Sequence, residues 1–287
     1  MEQGQLFRRS SAHRALTNVF ARVPMVLYAA VIIVPFLFLL LNSLKTNQEF
    51  YNNFWKLPAA LRFDNYAAGL EKSNIHNLFV NTLYVVFLGL AVNMLPASMI
   101  SYVIARTQFK FSGAIYKYFL LGLLTPGIIC LIPVFFVTRL MRIYNTREAL
   151  AIVYAAFEMA FSVFVMTSFF KTLPRELEEA AYIDGAGYFR TFWHIIFPLT
   201  RPGLITIGVF NFLEFWNDYL VAMTIVLDDR IKTVSQGVMK LQTANAVRTD
   251  WGPLFAVCIM AMVPVVLVYA LFQKRLTEGL TAGAVKG

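Results

Sequence analysis

Near-continuous apolar stretches alternate with polar segments along this chain, and six are long: residues 24–41, 78–105, 118–137, 149–170, 202–227 and 253–272. A helix of roughly 20 apolar residues crosses the hydrocarbon core of a bilayer. Lipid offers no partner to an unpaired backbone group, so a spanning segment must satisfy its own hydrogen bonds. The runs lack the period-two alternation of barrel strands. An all-α membrane protein with six transmembrane helices is therefore predicted, with an N-terminal segment 1–23, a six-span domain 24–272 and a tail 273–287. Pro96, Pro126, Pro133 and Pro264 should interrupt or kink their spans, because each lacks an amide donor.

Composition agrees, with 59% hydrophobic and 14% charged residues and a mean hydropathy of +0.62, far from a soluble domain. Arg8, Arg9, Arg14 and Arg22 precede the first apolar run as in a signal peptide. Leu41-Asn42-Ser43-Leu44 offers no small-x-small cleavage site, so the run reads as a retained anchor. Cys130 and Cys258 fall inside spans and suggest no disulfide. His13, His76 and His194 lack metal-site spacing. No G-x-x-x-x-G-K-[ST] phosphate loop, paired catalytic constellation or nucleophile elbow occurs, so the chain carries no ATPase or other enzyme signature. The pI of 9.6 follows from basic loops and is no evidence for nucleic-acid binding.

Loop 171–201 carries the most information. Thr172 can cap a first short helix, Pro174 suits its first turn, and Glu176, Glu178 and Glu179 lie where a helix dipole favours negative charge. Gly185 permits a chain reversal. Beyond it Phe189, Phe192, Trp193 and Ile196 recur at helical spacing as one apolar stripe. The stripe should seek a surface outside the loop. Amphipathicity alone fits docking on a partner and lying among headgroups equally well.

Glu179-Ala180-Ala181, three residues, Gly185, nine residues, Ile195, one residue, then Phe197-Pro198 resembles the E-A-A loop of the membrane subunits of binding-protein-dependent ABC importers, Phe197 standing where that family has Leu. Asn81-Thr82, Trp216-Asn217-Asp218 and the ending Gly279-Leu280-Thr281-Ala282-Gly283-Ala284-Val285-Lys286-Gly287 are similar to the maltose-type permease subunits of carbohydrate-uptake importers. The resemblance implies a type I importer permease in a bacterial or archaeal inner membrane, both termini cytoplasmic. The loop's coupling helix would dock in a groove of the nucleotide-binding subunit, with Glu179, Ala180, Ala181, Asp184, Gly185, Phe189, Phe192, Trp193, Ile195 and Pro198 as coupling residues. It further implies that Gly279, Leu280, Thr281, Ala282 and Gly283 touch the ATPase dimer, a tail that composition alone reads as a flexible end. The implied partners are a second permease, two ATPase subunits holding ATP and Mg2+, and an external solute-binding protein.

Charged residues inside a bilayer face protein or water. Asn211, Glu214 and Asp218 share one face of the fifth span with Trp216 and Asn217 nearby, a set suited to sugar hydroxyls and ring stacking or equally to interhelical bonding. Glu158, alone in the fourth span, reads as a packing or gate contact. The loop holding Arg139, Arg142 and Arg147 would attract an anion: an acidic saccharide, lipid headgroups or an acidic binding protein. Lys and Arg counts favour cytoplasmic termini only slightly. Saccharide import is the reading; import of peptides or amino acids by the same kind of machine, and a self-sufficient secondary transporter, are the alternatives.

Overall fold

The computed structural model describes the backbone of residues 3–107, 109–244 and 249–284, with side-chain surroundings within 22–107, 109–243 and 249–274. Its helices are α1 (Gln3–Ser43), α2 (Asn47–Asn52), α3 (Asp64–Ser73), α4 (Ile75–Arg106), α5 (Ser112–Leu123), α6 (Leu131–Leu140), α7 (Arg147–Phe157), α8 (Met159–Thr172), α9 (Glu176–Ile183), α10 (Tyr188–Leu199), α11 (Arg201–Asn217), α12 (Leu220–Ile225), α13 (Val234–Ala244) and α14 (Trp251–Ala284). No strand occurs among the described residues. Arg22–Ser43 of α1, α4 and Trp251–Lys274 of α14 are each long and apolar enough to cross a bilayer. Three bent pairs qualify jointly: α5 with Gly127–Leu140 at 95°, α7 with α8 at 49°, and α10 with α11 at 70°. Counting each pair as one span gives six, in an all-α membrane protein.

An interruption is predicted at Pro126 within 118–137 but none within 149–170 or 202–227, and the structure interrupts all three. Pro126 stops the first, having no amide to donate and pushing Thr125 away from helical geometry. The second bends at Glu158 without any proline, and there the side chain of Asn93 donates to the Ala155 carbonyl at 2.8 Å, satisfying from α4 a group beside the break. The third ends at Asn217 because the Asp218 carboxylate accepts from the Val221 and Ala222 amides at 3.3 and 2.9 Å and starts α12 afresh. Pro96 and Pro264, expected to interrupt, lie inside continuous helices. Pro133 sits in the first turn of α6, where a missing donor costs little. The expected flexible tail is also corrected: α14 runs on to Ala284, since extending an existing helix avoids the cost of nucleation. Val285, Lys286 and Gly287 lie outside the described residues.

The chain divides into two units. In the first, Met1–Gly69 with Asn245–Met260, polar side chains fasten the segment after α1. Thr46 and Glu49 form a capping box at α2. Asn65 donates to the Ser43 and Lys45 carbonyls, and Asn47 bridges Asp250 and the Trp251 amide. Phe50, Trp251 and Phe255 stack around this clasp.

In the second unit, Leu70–Ala244 with Ala261–Gly287, α4 is the common wall, packed along α7, α8 and α11. One core gathers Val85, Val86, Leu150, Tyr154, Phe215 and Ile225; another gathers Tyr102, Met166, Phe170, Phe192, Ile196 and Ile207. Between them lies a buried polar node in which Ser162 and Asn211 both donate to the Asn93 side-chain oxygen, at 2.6 and 2.8 Å. At the far end of α4, Asn81 donates to the Arg230 and Lys232 carbonyls and the Thr82 hydroxyl accepts the Val234 amide. The Asn81-Thr82 pair thus anchors the connection into α13. Arg139 and Arg147 stack on aromatic rings, Arg147 lying 4.6 Å from the Tyr84 centroid, and Arg147 also donates to Asn81. Arg147 is half-buried in these contacts, while Arg139 and Arg142 remain exposed.

Candidate functional site

The 171–201 loop folds as α9, a glycine reversal and α10. Thr172, expected to cap α9, instead ends α8 and donates to the Phe169 carbonyl, so α9 begins two residues beyond Pro174 with no side-chain cap. Glu176, Glu178 and Glu179 occupy its first turn, where they offset the exposed amides and the dipole. Gly185 has a φ of 79°, the Gly185 amide bonds the Tyr182 carbonyl at 3.0 Å, and the Ala186 amide bonds the Ala181 carbonyl at 2.9 Å. That pair of bonds is a Schellman motif. A Cβ on Gly185 would meet nothing within 4 Å, so the chain tolerates volume there but not the backbone angle. If the loop couples as the E-A-A resemblance implies, Gly185→Val should straighten the turn and lose that coupling, whereas Gly185→Asn, which tolerates left-handed geometry, should keep most of it. Transport per ATP hydrolysed checks this, and equal activity in both variants would remove the turn's role.

The apolar stripe beyond Gly185 does not act as a whole. Phe192 is 3% exposed and Ile196 is fully buried, both packed in the core with Tyr102 and Phe170. They find their surface inside the same chain, because the ends of α4 and α8 lie against this loop, which corrects the expectation that the stripe must leave the chain. Phe192 is therefore a foundation of the loop and not a docking contact. Trp193, Ile195 and Pro198 are half-buried, and Ala181 is buried beneath α9. Residues 192–196 form a π-helical turn, which shifts the register of α10 and was not legible from spacing. The outward face is made by Ile183, 86% exposed, Phe189, 68% exposed, and Tyr182, with Glu179, Ala180, Asp184 and Gly185 exposed beside them. Tyr182 and Ile183, between the motif's Ala181 and Gly185, escape a reading confined to its fixed positions. The loop presents an apolar knob with Glu179, Asp184 and Arg190 exposed near it in sequence.

A pair of opposite charges joins the loop to α4. Arg106 and Glu178 face one another at 3.5 Å with side chains only 5% and 13% exposed, and Arg106 also donates to the Leu173 carbonyl at 2.7 Å. Tyr102 packs on Tyr188 and Phe192 with ring centroids 5.3 and 4.9 Å apart.

Within the membrane segments, a cleft of about 170 Å³ opens where α7–α8 and α11–α12 are broken, lined by Tyr154, Glu158, Glu214, Phe215, Asp218 and apolar residues of α6 and α12. The structure thus brings Glu158, read from sequence as a packing or gate contact and a candidate for the substrate path, together with Glu214 and Asp218. Asp218 is committed already, accepting from the Tyr154 hydroxyl at 2.9 Å as well as from the α12 amides. Two expected path residues lie elsewhere. Trp216 is 3% exposed, stacked on Phe212 and donating its indole N–H to the Ala261 carbonyl; Asn211 is fully buried in the polar node. Both are locked by helix packing, which spacing on one helix cannot foresee. Asn217 is exposed and bonds its own helix at Leu213.

The profile of a family described as the inner membrane component of binding-protein-dependent transport systems matches residues 94–281. The chain is 36% identical over 91% of its length, and 87% of the relative's, to the diacetylchitobiose uptake system permease protein NgcG of Streptomyces coelicolor. It is 30% identical over 88% of its length to the melibiose/raffinose/stachyose import permease protein MelC of Bacillus subtilis, covering 91% of that protein. A crystal structure of a bacterial ABC transporter involved in the import of the acidic polysaccharide alginate superposes with a TM-score of 0.79 over 90% of this chain and 96% of that one. At 20% sequence identity this shows a shared fold.

Proposed function

We propose, starting from the premise that the chain belongs to the family of binding-protein-dependent transport system inner membrane components, that it is the permease subunit through which a saccharide crosses a bacterial or archaeal inner membrane by alternating access. Membership sets aside the self-sufficient secondary transporter, and relatives named as permeases favour a transport role. The observation that carries the reading is the E-A-A loop folded as a helix, a Schellman turn and a second helix, fastened to the bundle and showing Tyr182, Ile183 and Phe189 outward. In the proposed assembly a second permease pairs with this chain, two ATPase subunits hold ATP and Mg2+, and an external solute-binding protein delivers cargo. The loop, both termini and the tail residues Gly279, Leu280, Thr281, Ala282 and Gly283 face the cytosol. ATP-driven closure of the ATPase dimer then displaces the knob, and the loop hands that displacement to α4 and α8.

Relatives named for saccharide uptake favour a sugar over a peptide or amino acid. The cleft adds a charge argument. Its titratable acids are Glu158, Glu214 and Asp218, and no Lys or Arg lines it. With Asp218 already engaged, Glu158 and Glu214 are acceptors suited to the hydroxyls of a neutral saccharide and repel an anionic one. The complex with its cognate binding protein, reconstituted in vesicles, should import diacetylchitobiose or raffinose in preference to an alginate oligosaccharide. A double substitution of Glu158→Gln and Glu214→Gln should weaken import of the neutral sugar about tenfold, the size expected on losing a charge-assisted hydrogen bond. Preferred import of alginate by the parent complex would overturn the charge argument, and import of a peptide alone would overturn the saccharide reading.

A further inference from the structure

Glu178 precedes the E-A-A sequence and lies outside its fixed positions. It is turned inward, 13% exposed, while its neighbours Glu176 and Glu179 in the same helical turn face solvent. The charge opposite is Arg106, the last residue of α4, whose side chain is 5% exposed and whose second anchor is the Leu173 carbonyl where α8 ends. A buried ion pair contributes little net stability over an apolar filling, yet removing one partner is costly because the other charge is stranded. Such a pair suits a joint whose two sides must move together.

The joint leads to the cleft. From Arg106 the rigid body of α4 runs back through Ser101, which donates to the Val163 carbonyl, to Asn93, which holds the Ala155 carbonyl beside the bend at Glu158. Ser162 and Asn211 meet the same Asn93 oxygen, so α8 and α11, the helices carrying Glu158 and Glu214 at or near their ends, are gripped at one node. We propose that Glu178 is a positioning residue for transport: with Arg106 it forms a strut that delivers movement of the ATPase-docked loop through α4 to the cleft wall. This rests on the permease reading above. Glu179 would then serve the ATPase side of the loop and Glu178 the membrane side.

The test uses the complete importer in vesicles, with the neutral saccharide the parent complex imports best, recording ATPase subunit retention, ATP hydrolysis and sugar imported per ATP. A parent complex that neither retains ATPase subunits nor imports sugar would refute the permease reading and not this inference alone. Given a working parent, Glu178→Gln should keep its ATPase subunits and hydrolyse ATP while importing about tenfold less sugar per ATP, in the range of couplings between contacting charged residues. The exchanged pair R106E/E178R should recover most of that ratio. An unchanged ratio in Glu178→Gln, or an exchanged pair no better than either single variant, overturns the strut. Should Glu178→Gln and the exchanged pair both fail to hold the ATPase subunits, the pair merely folds the loop, and the proposal is overturned equally.

Discussion

Ile183→Asp should strip the ATPase subunits from the solubilised importer while leaving the permease itself folded. Ile183 stands at the end of α9, 86% exposed, and with Phe189 and Tyr182 it forms an apolar knob on a loop of mixed charge. A side chain that touches so little of its own chain contributes almost nothing to its stability, and it is the clustering of three such residues on one loop that fits a contact surface. Burying it in a groove makes it a hot spot, and placing a carboxylate there costs desolvation with no partner on this chain to offset it. We expect about a hundredfold weaker retention of the ATPase subunits, from roughly 2–3 kcal/mol. Phe192→Ala gives the contrasting result. That ring lies in the core with Tyr102 and Phe170, and its removal should cost about 3–5 kcal/mol of permease stability as a cavity. Co-purification of ATPase subunits and thermal unfolding in detergent separate the two effects. Ile183→Asp with full retention, or Phe192→Ala with unchanged unfolding, would show that the loop faces the other way.

Asn93→Leu should be among the most damaging single changes in the membrane segments. One side chain holds the Ala155 carbonyl and accepts from both Ser162 and Asn211, each bond between different helices and each away from water. Interhelical hydrogen bonds in membranes are individually small, about 0.6 kcal/mol on average and below about 2. Three lost together, with their partners left in an apolar surround, sum to about 2 kcal/mol or more. Unfolding in a graded detergent series should shift accordingly, and import should fall further than stability because the bend at Glu158 loses its prop. Asn217→Ala makes the comparison, since that amide is exposed and bonds only the Leu213 carbonyl of its own helix. It should leave unfolding within about 0.5 kcal/mol. Similar behaviour of the two variants would mean that the node carries no special share of the packing.

Much of this was legible before any coordinates. Apolar run length alone predicts an all-α membrane protein, because in lipid a continuous apolar segment has almost no other way to satisfy its backbone. The motif spacing around Glu179 and Gly185 locates the loop, and the glycine marks its turn because the left-handed angle of 79° suits few other residues. Fold class and loop position depend on neighbours in sequence, and neighbours in sequence are what a pattern contains. The breaks at Glu158 and Asp218, the burial of Phe192, Ile196, Asn211 and Trp216, and the meeting of Arg106 with Glu178 all depend on side chains far apart along the chain. A hydrophobic stripe specifies that a face will be covered, not by what, and a polar residue in a span specifies that it will find a partner, not which. Tertiary packing made those choices, since a buried group takes whichever donor, acceptor or ring the neighbouring helix brings within reach.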